Sequence, residues 1–176
     1  MFRIKQNNLA QSAGVDIPGT SPAEKAYVAV EGATSTGFEL ELSGELAQGW
    51  NGTVGYSQFK AEDAKGADVN SIYPRKLLRL FTSYQLPGAL SAVTIGGGIN
   101  WQSSTYTYVT TLSRNIDQGA YALVDLMARY AISKDLSAQL NVNNVFDKTY
   151  YGMFAAYNQF TYGAPRNATL SLRYKF

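Results

Sequence analysis

Few residues in this chain of 176 could do chemistry. Glu39, Glu41 and Glu45 sit at even spacing, which on an extended strand puts three carboxylates on one face, as an acid/base pair requires. No second group converges on them in the sequence, so they read as solvated carboxylates of a polar strand face. Asp63, Asp68 and Asn70 offer the oxygens a calcium ion takes, but their spacing fits no calcium loop. Gly96-Gly97-Gly98 could cradle a phosphate only if a basic residue and a helix followed. Neither does, so these glycines belong to a strand or a bend. Asn51-Gly52-Thr53 and Asn167-Ala168-Thr169 match glycosylation sequons by chance. The chain contains no cysteine and no histidine, which excludes thiol catalysis, histidine-based triads and Cys/His metal centres. What remains is recognition by aromatic side chains: Tyr106 and Tyr108 in one polar stretch, and Tyr150, Tyr151, Phe154, Tyr157 and Phe160 in another. Tyrosine offers an apolar ring with an orienting hydroxyl, so these are candidate ligand contacts, or else members of an aromatic girdle.

The elements that carry these residues are strands. Sixteen glycines and 13 tyrosines accompany only 16% charged residues, a composition that favours strands and turns. Ala168, Leu170, Leu172, Tyr174 and Phe176 alternate with Thr169, Ser171, Arg173 and Lys175, so one face is apolar and the other polar. Leu136–Val142 obeys the same rule, and so do segments around Phe38–Ser43, Trp50–Tyr56, Leu78–Leu86, Val93–Trp101 and Ala120–Ile132. With a partial strand over Phe2–Asn8, the count is about eight. The fold class is therefore all-β. Fifteen basic and 13 acidic residues are dispersed along the chain, so no nucleic-acid footprint is present. No apolar run of about 18 residues exists, which excludes a helical span but not a barrel, whose strands barely register in hydropathy.

The links between strands alternate in length. Gln48-Gly49, Pro87-Gly88 and Ser133-Lys134-Asp135 are short and rich in turn residues. Ala10–Lys25, Asp63–Pro74, Tyr106–Gly119 and Lys148–Gly163 are long and polar. A soluble sandwich would turn its apolar face inward and has no reason to sort its loops in this way. An outer-membrane barrel does, because tight turns face the periplasm and extended loops face outward. Trp50, Tyr56, Tyr84, Trp101, Tyr130, Tyr174 and Phe176 fall near strand ends, as interfacial girdles require. Apolar side chains, among them Leu140, Leu170 and Leu172, then face lipid, while Arg129, Arg173 and Asn141 face the lumen. Phe176 falls at the periplasmic rim.

LNVNNVFDKTYY from Leu140 to Tyr151, followed by YGAPRNATLSLRYKF from Tyr162 to the end, resembles the last two strands of TonB-dependent receptors of the hydroxamate-type ferric siderophore class. Val145 stands where leucine is commoner. The likeness extends to GATSTGFELELSGEL from Gly32, to GYSQFKAED and to IYPRKLLRLFTSYQLPG from Ile72. The resemblance implies an antiparallel transmembrane β-barrel segment, residues 1–176 being the C-terminal portion of a wall of about 22 strands. It implies that the plug domain and TonB box lie elsewhere, and that the location is the bacterial outer membrane. It implies a ferric siderophore as the transported ligand with no cofactor, TonB as a partner through a missing N-terminal region, outer-membrane lipid around the wall, and Phe176 as the signal read by the barrel assembly machinery. On this reading Tyr106, Tyr108, Tyr150, Tyr151, Phe154 and Tyr157 contact the chelate. The competing reading is a self-contained eight-stranded structural or adhesive barrel. An enzyme of lipase or protease type lacks its usual histidine base.

Overall fold

Alternating side chains with β-branched and aromatic residues dictate strands, and strands are what form. The computed structural model describes residues 1–69, 71–109, 112–154 and 159–176, with backbone alone at 9, 11, 30, 153 and 154. The chain divides into two units, Met1–Phe38 with Phe59–Asn70, and Glu39–Gln58 with Ser71–Phe176.

In the first unit β1 (Phe2–Lys5) runs antiparallel to the start of β4 (Thr34–Ala47), Phe2 opposite Gly37 and Lys5 opposite Thr34. Between them β2 (Leu9–Asp16) and β3 (Lys25–Val30) form a hairpin with an irregularity between Ser12 and Asp16. Lys25 Nζ meets Asp16 Oδ1 at 2.6 Å across its tip end. The end of β5 (Trp50–Glu62) also lies in this unit, where Lys60 pairs with Glu62. Asp63 Oδ1 accepts the backbone N–H groups of Lys65 and Ala67. That carboxylate is thus a turn anchor, and Asn70, named with it as a possible calcium ligand, lies outside the described residues.

The second unit holds most of the sheet: β6 (Lys76–Gln85), β7 (Val93–Gln102), β10 (Tyr121–Ala131), β11 (Leu136–Asn143) and β14 (Asn167–Tyr174), with the remainder of β4 and β5. The eight strands hydrogen-bond in the order β1-β4-β5-β6-β7-β10-β11-β14, each large-sheet neighbour being the next in chain order. Register places like with like. Trp50, Tyr84, Ile95, Ala128, Leu140 and Leu170 form one apolar row across six strands. On the opposite face Gln85, Thr94, Arg129, Gln139 and Ser171 form a polar row. The expected facings of Leu140, Leu170 and Leu172 against Arg129, Arg173 and Asn141 are therefore those of one continuous surface each.

The apolar surface is uncovered. Among the described residues only Ala61 and Val109 are buried apolar side chains, while Leu170 and Leu172 are 69% and 70% exposed. A soluble sandwich buries that stripe against a second sheet. Here no such core forms.

The links sort by length as the sequence predicts. Gln48-Gly49 joins β4 to β5, with Gly49 at φ 74° and its N–H donated to Glu45 Oε1. A single 3-10 turn, Gly88–Leu90, interrupts the β6–β7 link. In the β10–β11 turn Ser133 Oγ accepts the N–H groups of Asp135 and Leu136. The long links differ from their reading as loops. Three of them fold into hairpins, the β2–β3 pair, β8 (Thr105–Val109) with β9 (Arg114–Gln118), and β12 (Tyr151–Phe154) with β13 (Gln159–Tyr162). Backbone raised above a sheet must still satisfy its N–H and C=O groups, and pairing with itself does so.

Gly96-Gly97-Gly98 lies inside β7, as a strand and not a phosphate loop. A Cβ at these positions would come within 2.7 Å of Thr82 O, 2.9 Å of Asp125 O and 2.8 Å of Leu80 O respectively. Glycine is required because the neighbouring backbones approach too closely for any side chain.

Candidate binding site in the long links

Where β11 ends, Asn144 adopts φ 50°, a left-handed conformation that asparagine tolerates better than most residues. Its backbone N–H donates to Asp125 Oδ1 at 2.9 Å, and Asn100 Nδ2 donates to the other oxygen of that carboxylate at 3.2 Å. The buried Asn144 side chain then brackets the whole link. Its Nδ2 donates to Lys148 O and Ala164 O, and its Oδ1 accepts from Lys148 N. Asp147, at φ 53°, accepts the Arg166 N–H at 2.8 Å. The NNVFD stretch thus bonds main-chain groups where a strand breaks into a loop, as its residue types suggest. Pro165 stands two residues before β14 and its carbonyl accepts from Asn167 Nδ2, so strand entry falls slightly later than the proline.

On this base the β12–β13 hairpin rises with Tyr151 opposite Tyr162. Tyr151 meets Phe160 edge-on at 5.5 Å and Tyr162 at 6.4 Å. The two hairpins are joined: Tyr151 N donates to Gln118 Oε1 at 3.1 Å, and the Tyr151 hydroxyl donates to the Asp117 carbonyl. Gln118 is itself buried, and its Nε2 donates to Gly119 O. Tyr150 lies over Gly163, whose N–H donates to Tyr150 O, and its ring tilts against Tyr121 at 4.8 Å. A Cβ at Gly163 would fall within the Tyr150 ring.

The predicted aromatic set therefore separates into two groups. Tyr106 and Tyr108 stand on the exposed face of β8, opposite Asp117 and Asn115, while Thr105, Thr107 and Val109 on the other face are buried. Tyr150 and Tyr151 are half-buried and knit the links together, although the Tyr151 hydroxyl reaches the carbonyl of the residue that faces Tyr106. The Phe154 side chain and all of Tyr157 lie outside the described residues. Phe160 and Tyr162 are exposed on β13. Asp125, Asn144 and Gln118, which hold this arrangement, are not among the predicted contacts. The only signal for them is a polar residue at an interior strand position or just beyond a strand end. Glu39, Glu41 and Arg79 border one polar recess on the sheet. Far from the long links, Phe176 follows β14 and packs edge-on against Tyr174 at 5.1 Å.

Comparison with known proteins bears on what such a rim is for. The family model described as TonB dependent receptor-like, beta-barrel, matches residues 1–145. The chain is 43% identical to the ferric-pyoverdine 358 receptor of Pseudomonas putida over its whole length, and 42% identical to the ferripyoverdine receptor of Pseudomonas aeruginosa over 99% of it. It spans about a fifth of the length of these relatives, 21% and 22%. The crystal structure of the outer-membrane ferripyoverdine receptor of P. aeruginosa bound to ferripyoverdine superposes with a TM-score of 0.87 at 40% identity, covering 99% of this chain and 24% of that one.

Proposed function

The chain belongs to the TonB-dependent receptor β-barrel family, and we propose that residues 1–176 form the C-terminal part of the wall of an outer-membrane receptor that takes up a ferric siderophore of the pyoverdine class. The observation that carries this reading is the division of one sheet into three environments. Its uncovered apolar stripe suits bilayer hydrocarbon, and its polar face, with Arg79, Asp125, Arg129 and Arg173, suits a water-filled or plugged lumen. The rim of long links raises joined hairpins bearing exposed Tyr106, Tyr108, Phe160 and Tyr162. Backbone groups in hydrocarbon must all be paired, so the outer edge of β14 calls for further strands and a closed wall.

In this role the wall does no covalent chemistry. The family is one of receptors and transporters, and the chain carries no histidine to act as a base. The aromatic rim holds the chelate by its partly apolar surface, with tyrosine hydroxyls orienting it. Passage requires a plug and its coupling to TonB, which we assign to a region beyond these residues. Outer-membrane lipid surrounds the wall, and Phe176 is read by the assembly machinery during insertion.

The test uses the full-length receptor. Tyr106→Ala with Tyr108→Ala should weaken equilibrium binding of radio-iron-loaded pyoverdine roughly tenfold or more, about the effect of losing two aromatic contacts, with unchanged outer-membrane abundance. Unchanged binding would return the pair to a structural role. Failure of the unaltered receptor to bind any ferric siderophore would end the functional reading itself.

A further inference from the structure

The Gly96–Gly98 strip leaves a recess of about 670 Å³ on the apolar face, floored by the backbone of Gly97 and banked by Leu80, Ile99, Val124 and Leu140. We propose that this recess is a binding site for one acyl chain of a phospholipid in the periplasmic leaflet, a site that rests on the outer-membrane reading above. The protein cannot fill the recess itself. A Cβ on Gly97 would lie 2.9 Å from Asp125 O and 2.9 Å from Leu126 Cδ2.

Two of its polar groups are satisfied within the protein. The Trp50 indole N–H donates to Thr82 Oγ1 at 2.8 Å, and that hydroxyl donates to Asn51 O at 2.9 Å. Apolar side chains, among them Leu80, Ile95, Ile99, Val124, Leu126 and Leu140, dominate the lining, so an unbranched apolar chain is what the surface matches. Position selects the leaflet. Gly97 stands two residues above Ile95, which pairs with Tyr84 and through it with Trp50 beside the short Gln48-Gly49 turn. The short turns mark the periplasmic rim. Charge supplies the headgroup end: Lys134, its side chain 90% exposed and its ammonium loosely paired with Asp135 Oδ2 at 3.8 Å, occupies the turn at the foot of the β10–β11 pair, where a phosphate can compete for it. Leu140 stands four positions past Leu136, where β11 leaves that turn, about 13 Å along an extended strand, a span suited to a phosphate at the rim and a chain tail in the recess. A lipid so placed is held by shape along its chain and by the ammonium at its phosphate.

The experiment is photo-crosslinking of the full-length receptor in vesicles of phosphatidylethanolamine and phosphatidylglycerol, doped with a phospholipid carrying a diazirine midway along one acyl chain. Adducts are mapped by peptide mass spectrometry. Labelling at Ile99 and Leu126 should exceed that at Leu170 and Leu172 several-fold, and should fall to their level in Gly97→Leu. Val124→Phe narrows the recess from its bank without loading β7 and should act in the same direction if Gly97→Leu fails to assemble. Equal labelling of all four positions, unchanged in Val124→Phe, overturns the site. Preferential labelling by a lipopolysaccharide probe in native outer-membrane vesicles overturns it as well. Absence of labelling at Leu170 and Leu172 too would remove both the site and the membrane facing on which it depends.

Discussion

Asn144 concentrates three hydrogen bonds into one side chain. It takes a left-handed φ, reaches three main-chain atoms and is buried. Asn144→Ala should destabilise the Lys148–Gly163 link by about 1–3 kcal/mol through unsatisfied buried groups, without unfolding the sheet. The check is hydrogen exchange in the full-length receptor, with faster exchange confined to that link. Gly163 offers a second test, because Gly163→Ala drives a methyl into the Tyr150 ring. Tyr150→Ala should therefore rescue Gly163→Ala in a double-mutant cycle, the pair being more stable than the sum of single losses predicts. That Asn144 and Asp147 bond main chain is legible from their types beside a strand end. Their partners are not. Asp125 precedes Asn144 by 19 positions, and only the β10–β11 ladder brings the carboxylate to that N–H.

Among the elements, the large-sheet strands were legible because a period of two repeats over many residues and each strand repeats its neighbour's rule. Thr105–Val109 alternates as well, yet it sits in a polar link and reads as loop. Its apolar face is too small to declare itself, and the pairing with Arg114–Gln118 is a demand of the backbone instead. The facing of β14 leads to a paired prediction. Leu172→Arg should cost up to about 2–4 kcal/mol if it lies near the bilayer midplane, whereas Ser171→Arg on the polar face should cost little. Detergent refolding midpoints of the full-length receptor would show the difference. Cysteines at Leu170 and Leu172 should resist a water-soluble thiol reagent in intact membranes, and ready reaction would reverse the assignment of faces.

For the molecule as a whole, the exposed apolar stripe and the strand-terminated edge at β14 make the isolated chain adhesive. Residues 1–176 refolded in micelles should aggregate, and a protease-resistant, heat-modifiable monomer would instead favour the self-contained eight-stranded alternative. Deleting Phe176 from the full-length receptor should lower outer-membrane abundance more than it lowers the thermal midpoint of the receptor that does insert. Membrane quantification beside a melting curve separates the two. The joints of the long-link rim have a consequence for divergence among receptors. Asn144, Asp147, Gln118 and Tyr151 bind their partners through carbonyl oxygens and amide N–H groups, which every substitution except proline leaves in place. Asp117 and Lys148 can therefore drift in side-chain identity without loosening the hairpins. Under selection for a new chelate, such a rim explores chemistry at a few display positions while four side chains keep its frame. A deep mutational scan of the receptor should record the contrast as broad tolerance at Asp117 and Lys148 and narrow tolerance at Gln118 and Asn144.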